Sequence, residues 1–138
     1  VEIYCWSDYL KGDLQRVGML AHELAHCYHC LLGWEQPDIC QSFAQSMASG
    51  IYQCVPHCAG HEAKAYATTN CKEFFASLSV PFLGFCNDWY PFIRADLESF
   101  DPPALCMLQK VWAHCPGGTV GAGCSRTPPP VTRCSCGG

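Results

Sequence analysis

The sequence predicts an α+β domain that is predominantly helical, and three observations support this fold class. Apolar residues recur at helical spacing through much of the chain, whereas a strand-like alternation is found in its first residues. The length of 138 residues corresponds to one domain, and a hydrophobic share of 49% is enough to form a core. Thirteen cysteines spread along the chain suit a domain that is stapled by disulfides.

The first half of the chain contains one expected strand and two expected helices. Val1–Tyr4 alternates apolar and polar residues, which is typical of a short strand. A helix is expected from about Asp13 to Leu32, with Gly33 as its natural stop. A second helix is expected from Pro37, which suits a first helical turn, to near Gly50.

The second half contains two further expected helices. Residues 54–60 are expected to form a loop, and a third helix follows from about Asn70 to Leu78. A last helix is capped by Asp101, opens at Pro102 and runs through Trp112. The composition then shifts to Gly, Pro, Ser and Thr. We therefore expect a domain over residues 1–116 and an irregular tail or linker over residues 117–138.

Charge and hydropathy exclude two classes of protein. Eight Lys and Arg against twelve Asp and Glu give a net charge of −4, which argues against a nucleic-acid binder. No apolar run approaches the roughly 18 residues of a membrane span. The chain starts at Val1 without an initiator Met or signal peptide, so we expect it to be a processed or incomplete piece of a longer product.

The cysteine count predicts an oxidising, secreted or extracellular location. Thirteen cysteines in 138 residues reach the density of disulfide scaffolds, whereas cytosolic thiols are kept reduced. The odd number leaves at least one thiol free or paired with another chain, and the connectivity does not follow from the sequence. A structural zinc site is the alternative, because Cys27 and Cys30 form a CxxC. The chain has no second CxxC or HxxxH at zinc-finger spacing.

The first expected helix contains an HExxH motif, His22-Glu23-Leu24-Ala25-His26. Two histidines four residues apart project from one helical face, so their imidazoles can bind one Zn²⁺. Glu23 lies on the same side and can take a proton from water that a zinc ion acidifies. The alternative is an amphipathic helix with two incidental histidines. A buried His-Glu-His strip without a ligand is costly, which favours the zinc site.

A catalytic zinc takes three protein ligands and keeps one position open. A third histidine six residues after His26 is excluded, because that position is Leu32. The remaining common solution is a glutamate from a later part of the chain. The downstream candidates include Glu35, Glu62, Glu73 and Glu98.

Glu73 is the favoured candidate among these glutamates. It lies on the third expected helix beside Phe74 and Phe75, where a buried carboxylate needs a charge partner that zinc can supply. Glu35 is too close to the end of the first helix to turn back easily, and Glu62 is expected in a loop. The alternative role for Glu73 is a capping-box residue three positions after Asn70.

Several stretches together carry a family resemblance. They are His22–His26, Leu32–Pro37, Ser49–Tyr52, Ala65–Asn70, Glu73–Ala76, Asn87–Phe92 and Asp101–Pro102. The chain from about Val1 to Trp112 resembles the zincin-like catalytic domain of anthrax toxin lethal factor and its secreted relatives, a group that includes the Pro-Pro endopeptidases. The most specific element is a tyrosine seven residues before a glutamate, downstream of the HExxH motif.

The resemblance implies a role for each matching residue. His22, His26 and Glu73 would be the zinc ligands, and Glu23 would be the general base. Tyr66, seven residues before Glu73, would donate its hydroxyl to the developing oxyanion.

The chain departs from the family pattern at two points. Ser77 stands where the family has a second glutamate that orients a zinc-bound histidine, and on general precedent this change costs about 10–100-fold in metal affinity or rate. About twenty residues precede the motif, whereas the family has more sheet there, including the strand that pairs with substrate. We therefore expect a zincin-like domain with a reduced N-terminal sheet.

The leading functional hypothesis is a secreted zinc endopeptidase of the gluzincin type that hydrolyses a peptide or protein substrate. The second hypothesis is a disulfide-rich extracellular structural or interaction module that keeps a peptidase fold without turnover. A third is a small structural zinc module that uses Cys27, Cys30 and His29, with further ligands from His57 and His61, which lie near Cys58.

Overall fold

The computed structural model describes residues 14–113, with side chains from Val17 onward. Helices dominate this part of the chain, and one two-stranded antiparallel sheet lies between the second and third of them. In chain order the elements are α1 (Leu14–Leu32), α2 (Pro37–Ser49), β1 (Val55–Pro56), β2 (Glu62–Ala63), a 3₁₀ helix (Tyr66–Thr68), α3 (Cys71–Phe82), α4 (Arg94–Phe100) and α5 (Pro102–Ala113). The predominantly helical α+β class is therefore confirmed.

Helix α1 carries the HExxH motif near its centre. Its inner face buries Ala21, Ala25 and Tyr28, which follow the four- and three-residue spacing of a helix that packs against a core. The helix ends at Leu32, as expected. Gly33 follows with a φ of 92°, a left-handed conformation that glycine adopts without steric cost.

Gly18 allows α1 to approach the loop that follows α3. A Cβ atom at this position would lie 2.5 Å from the backbone oxygen of Cys86 and 3.3 Å from Cγ1 of Val80. Because the nearer atom belongs to the backbone, either the helix or the loop must shift to admit it. Gly18 thus sets the distance between the HExxH helix and this loop.

We predict that Gly18→Ala lowers the free energy of unfolding by about 1–3 kcal/mol, the usual cost of overpacking. Alanine is intrinsically the better helix former by about 1 kcal/mol, but we expect the cost of overpacking to outweigh this gain. Chemical denaturation of the purified protein measures the change. A variant that is more stable than the wild type would show that the close contact does not constrain the fold.

Helix α2 begins and ends at the residues that the sequence indicates. Pro37 opens the helix, and the side-chain oxygen of Gln36 accepts a hydrogen bond from the Ile39 amide at 2.8 Å. Gly50 closes it with a φ of 73°.

Helix α3 begins after a strong N-cap. The side-chain oxygen of Asn70 accepts hydrogen bonds from the amides of Lys72 and Glu73, both at 3.0 Å. The helix continues to Phe82, four residues beyond its expected end at Leu78. Pro81 disfavours a helix that continues past it, but this proline lies in the last turn and every residue from 74 to 81 is buried. Packing therefore outweighs the local preference.

The segment between α2 and α3 differs from the expected loop. Val55 pairs with Ala63 and Pro56 with Glu62, so the stretch 54–60 contains β1 and Glu62 lies in β2 rather than in a loop. Each strand has two residues, which is too short for alternation to be visible in the sequence. An isolated bridge joins His57 to Trp89 and continues this pairing towards the loop after α3.

Helix α4 was not expected from the sequence. It has seven residues with one buried side chain, Leu97, so no apolar period could indicate it. Its first turn is fixed by Asp96, whose carboxylate accepts hydrogen bonds from the amides of Phe92 at 3.1 Å and Ile93 at 3.3 Å.

Asp101 joins the start of α5 to α2, and the helix begins where expected. One carboxylate oxygen accepts a hydrogen bond from the Ala104 amide at 3.1 Å. The other accepts from the hydroxyls of Ser46 at 2.7 Å and Tyr52 at 3.0 Å. Burial, together with the Asp101 carboxylate, raises the pKa of Tyr52, so this hydroxyl remains a donor.

The core lies where α1 and α3 pack against each other and against α5. Phe74, Phe75 and Leu108 are completely buried. At the edge, the Tyr28 hydroxyl donates to the Val111 carbonyl at 3.0 Å and the Trp112 indole donates to the Ser79 hydroxyl at 3.1 Å. These contacts fix the two helices that carry the candidate zinc ligands.

Several expectations lie outside residues 14–113. These are the strand at Val1–Tyr4, the tail over residues 117–138 and the boundary between the two proposed domains. Within residues 14–113, no helix combines the length and the apolar character that crossing a bilayer requires.

The cysteines between residues 14 and 113 are mostly unpaired. Cys86 is disulfide-bonded, but no disulfide joins two residues of this described part. The expected disulfide framework as a whole stays a prediction. Free thiols belong to Cys27, Cys30, Cys40, Cys54, Cys71 and Cys106, whereas the Cys58 thiol contacts the Asp88 carboxylate.

Candidate metal centre

Three side chains from two helices meet at one point beside α1. The Nε2 atoms of His22 and His26 are 3.1 Å apart. One carboxylate oxygen of Glu73 lies 3.0 Å from the first and 3.3 Å from the second. Within the described part of the chain, these residues form the one group of three or more His, Cys, Asp or Glu side chains close enough to share a metal ion.

The spacing of the three atoms fits a tetrahedral zinc ion. Ligand atoms about 2.0–2.2 Å from such an ion are separated from one another by about 3.3 Å. The three observed separations of 3.0, 3.1 and 3.3 Å are close to that value. Two imidazoles and one carboxylate are also ligands that zinc prefers, and three protein ligands leave a fourth position open.

The two helices hold these side chains in place by local means. His22 and His26 lie one turn apart on α1, and their side chains are 17% and 20% exposed. Glu73 lies in the first turn of α3, where the Asn70 cap fixes the backbone, and its side chain is 18% exposed. Its carboxylate contacts the two histidines, which distinguishes it from a simple capping residue.

The surroundings favour the state of His22 that binds metal. Burial, and secondarily the neighbouring His26, lower the pKa of His22, against the opposing effect of Glu73. A lowered pKa keeps the imidazole neutral at physiological pH, with a lone pair available for a metal ion.

Tyr66 stands beside the three candidate ligands. It opens the 3₁₀ helix that precedes α3, and its ring centroid lies 6.3 Å from that of His22. The side chain is half exposed. The Glu73 carboxylate, with smaller effects of burial and of Glu23, raises the pKa of Tyr66. The hydroxyl is therefore a hydrogen-bond donor near neutral pH.

Glu23 is exposed and faces a cavity of about 280 Å³ next to the three candidate ligands. His22 and Tyr66 line the same cavity, so the cavity brings together a candidate base, a candidate hydroxyl donor and a candidate ligand. Its other lining residues are Gly18, Met19, Ser77, Val80, Cys86, Asn87, Asp88 and Trp89.

The loop Asn87–Trp89 forms one wall of this cavity, a role that the sequence analysis did not assign to it. The Asp88 carbonyl accepts a hydrogen bond from the Cys58 amide at 2.8 Å, and the Tyr90 amide donates to the Pro56 carbonyl at 2.9 Å. The loop is thus held by the segment around β1. Because these contacts are non-local, no pattern within residues 87–89 could have indicated this position.

Ser77 lies one turn beyond Glu73, is buried and lines the cavity. A hydroxyl cannot supply the negative charge of a carboxylate to a neighbouring histidine, so Ser77 adds no charge to this side of the site.

The structure does not bring the other candidate ligands into the site. Glu98 pairs with Arg94 at 3.3 Å, and Glu62 accepts a contact from the Cys54 thiol at 3.8 Å. Glu35 is exposed beyond the end of α1.

The Cys/His alternative is not supported either. Cys27 and Cys30 are exposed, whereas His29 is completely buried. The rings of His57 and His61 stack on each other with a centroid distance of 4.5 Å. None of these residues joins a metal-binding group within the described part of the chain.

His29 is a buried histidine that the ligand set does not use. Its ring lies between those of Trp34 and Phe75, each with a centroid distance of 5.2 Å. Both ring nitrogens are buried without a hydrogen-bond partner. Burial, with further effects of His26 and Lys72, lowers the pKa of His29.

We predict that His29 makes the metal-free protein sensitive to acid. Its pKa is lower in the folded chain than the value of about 6.5 expected after unfolding, so the unfolded state binds more protons and stability falls as the pH drops below about 6.5. His29→Phe should reduce this loss and stabilise the protein by roughly 1–3 kcal/mol, because two unpartnered nitrogens leave the core. Thermal unfolding from pH 7 to pH 5, with chelator present, measures both effects. Equal pH dependence in the two proteins would contradict this assignment.

Comparisons with known proteins give no relative for this chain: no protein-family model, no curated protein and no solved structure matches it.

Proposed function

We propose that this chain is a secreted, zinc-dependent endopeptidase of the gluzincin type with a zincin-like fold. The observation that carries the proposal is the convergence of His22, His26 and Glu73, whose ligand atoms lie 3.0–3.3 Å from one another. An HExxH motif is weak by itself. A distant carboxylate at zinc-ligand spacing is the independent feature that raises it to a candidate site.

His22 and His26 would hold the ion through Nε2, and Glu73 through one carboxylate oxygen. When bound, zinc lowers the pKa of water towards 7 and polarises a carbonyl group. The three side chains are less than one quarter exposed, and His22 lines the cavity together with Glu23 and Tyr66.

Glu23 and Tyr66 would carry the proton and charge transfers. Glu23 takes a proton from the attacking water and delivers it to the nitrogen of the leaving amine, so the carboxylate is restored after each cycle. The Tyr66 hydroxyl donates a hydrogen bond to the carbonyl oxygen of the scissile bond while that oxygen becomes negative. The exposed positions of both side chains on the cavity support these roles.

Digestion of a peptide library tests the proposal. The purified protein is incubated with the library in the presence of zinc, after chelation, and after zinc is restored. We expect cleavage that disappears with the chelator and returns with the metal. Stoichiometric zinc without any cleavage would favour a binding role, and the absence of zinc would remove the proposal.

We predict that Tyr66→Phe lowers kcat by about 10²–10³-fold, the usual cost of one donor to an oxyanion. The hydroxyl acts mainly in the transition state, so KM and zinc content should change little. Steady-state kinetics on a peptide cleaved by the wild type measures this. Tyr90→Phe is the matched control, because Tyr90 does not line the cavity. A tenfold rise in KM with unchanged kcat would assign Tyr66 to substrate binding instead.

The second candidate function is an extracellular interaction module without turnover. The observation in its favour is the set of exposed apolar side chains on α1: Met19 is 64%, Leu24 50% and Leu31 84% exposed. These side chains would supply apolar area to a contact with another polypeptide. The library experiment distinguishes the two functions, since only the peptidase cleaves.

A further inference from the structure

We propose that Cys40 and Cys71 form a disulfide that ties α2 to the first turn of α3 in the oxidised protein. Their Sγ atoms lie 3.9 Å apart, although the residues are separated by 31 positions in the chain. Cys40 is in the first turns of α2, and Cys71 is the first residue of α3. Two helix starts thus present their thiols to each other.

The geometry requires a small movement. A disulfide bond is about 2.05 Å long, so the sulfur atoms, now 3.9 Å apart, must approach by about 1.9 Å. Both cysteines are partly exposed, which gives an oxidant access. The neighbouring backbone is held on both sides by the Gln36 and Asn70 caps. The two thiols therefore remain close without any ordering cost for a flexible loop.

Other cysteines of the described region have different neighbours. Cys54 contacts the Glu62 carboxylate at 3.8 Å, and Cys58 contacts the Asp88 carboxylate at 3.7 Å. Cys27, Cys30 and Cys106 are exposed. Among residues 14–113, Cys40 and Cys71 are thus the pair whose sulfur atoms contact each other.

The oxidation balances with a small-molecule disulfide such as oxidised glutathione. One protein thiol attacks the small molecule, breaks its S–S bond and releases one thiol. The second protein thiol then displaces the bound half. The two cysteines lose two electrons and two protons in total, and one small-molecule disulfide becomes two thiols.

The crosslink would also act on the candidate metal centre. Cys71 lies two residues before Glu73 in the same helical turn, so fixing its position restricts the carboxylate that faces His22. This consequence rests on the proposed function, whereas the disulfide itself does not.

Peptide mapping tests the pairing directly. The full chain is incubated with oxidised glutathione, blocked with an alkylating agent and digested without reductant after glutamate and aromatic residues. These cleavages give the peptides 36–43 and 67–73, each with a single cysteine. We expect a linked species of the two peptides that disappears after reduction. Alkylated 36–43 and 67–73, or either peptide linked to another cysteine, would overturn the proposal.

Thermal unfolding tests the strength of the crosslink. In the chain-entropy account a loop of this length stabilises the protein enough to raise Tm by about 10 °C. Reduction should therefore lower the Tm of the wild type, whereas Cys40→Ser should have a lower Tm and a clearly smaller response to reductant, since the disulfide of Cys86 is still present. Cys106→Ser, an exposed cysteine on α5, is the matched control and should retain the response. A response in Cys40→Ser as large as in the wild type would contradict the pairing.

Zinc titration of the oxidised and reduced proteins examines the consequence for the site. We expect several-fold weaker zinc binding after reduction in the wild type and a smaller difference in Cys40→Ser, in which only the disulfide of Cys86 is reduced. If the linked peptide forms and neither state binds zinc, the proposed function fails while the disulfide stands. If zinc binds and the linked peptide is absent, the disulfide fails while the metal centre stands.

Discussion

Glu73→Gln is expected to lower zinc affinity by at least about 100-fold. Loss of a residue that merely orients a ligand already costs 10–100-fold, and Glu73 would bind the metal itself. The amide is isosteric, and the backbone N–H of residue 73 can still donate to the Asn70 side chain, so the change removes charge while the shape is kept. Metal analysis after dialysis, followed by competition with a chromophoric chelator, measures the loss. About one zinc per chain in the wild type should fall to a small fraction.

The control for this experiment is Glu62→Gln. It makes the same chemical change in β2, outside the candidate ligand set. Its zinc content should equal that of the wild type. Unchanged zinc in Glu73→Gln would mean that the metal is held elsewhere, and the Cys/His alternative would have to be reconsidered. Equal losses in both variants would point to general destabilisation.

The helices with strong end signals could be predicted from the sequence. Pro37 and Gly50 mark α2, Asn70 marks the start of α3, and Asp101 marks the start of α5. Each of these residues acts on a backbone group within a few positions, so the information is local. This is why the starts of these helices were expected at the correct residues.

Elements that depend on distant contacts could not be predicted in the same way. Helix α3 passes Pro81 because its side chains are buried by helices far away in the chain. The short strands β1 and β2 are defined by their pairing with each other, and the bridge between His57 and Trp89 extends this pairing. Helix α4 has too few buried residues to show a period.

The candidate site likewise has features that the sequence indicates locally and features that depend on tertiary packing. The spacing of His22 and His26 places both on one helical face, and the apolar neighbours of Glu73 indicate that it needs a partner. Their meeting depends on the packing of α1 against α3, which the sequence pattern does not specify. The cavity wall at Asn87–Trp89 and the close approach at Gly18 belong to this tertiary level as well.

Ser77 contributes a hydroxyl and no negative charge to the site. The histidines must then be oriented by packing and by Glu73 itself, which contacts both. The position of Glu73 therefore matters for the orientation of the histidines. Its Asn70 cap and the proposed crosslink at Cys71 would both restrict this position.

Glu23→Gln should abolish most turnover while zinc remains bound. General base catalysis contributes about 10²–10⁴-fold, and an amide cannot take the proton from water or return it to the leaving amine. Glu23 is exposed on the cavity and is not among the three candidate ligands, so its replacement should leave zinc content and folding unchanged.

Three measurements on one preparation of Glu23→Gln distinguish a catalytic base from a metal ligand. They are steady-state kinetics, metal analysis and thermal unfolding. Glu35→Gln, which makes the same change at an exposed position beyond the end of α1, is the matched control and should keep full activity. A drop in kcat without a drop in zinc identifies Glu23 as the base, because every structural defect would also disturb the two histidines on the same helix. Unchanged kcat in Glu23→Gln would assign proton transfer to another group and remove the gluzincin mechanism from this site.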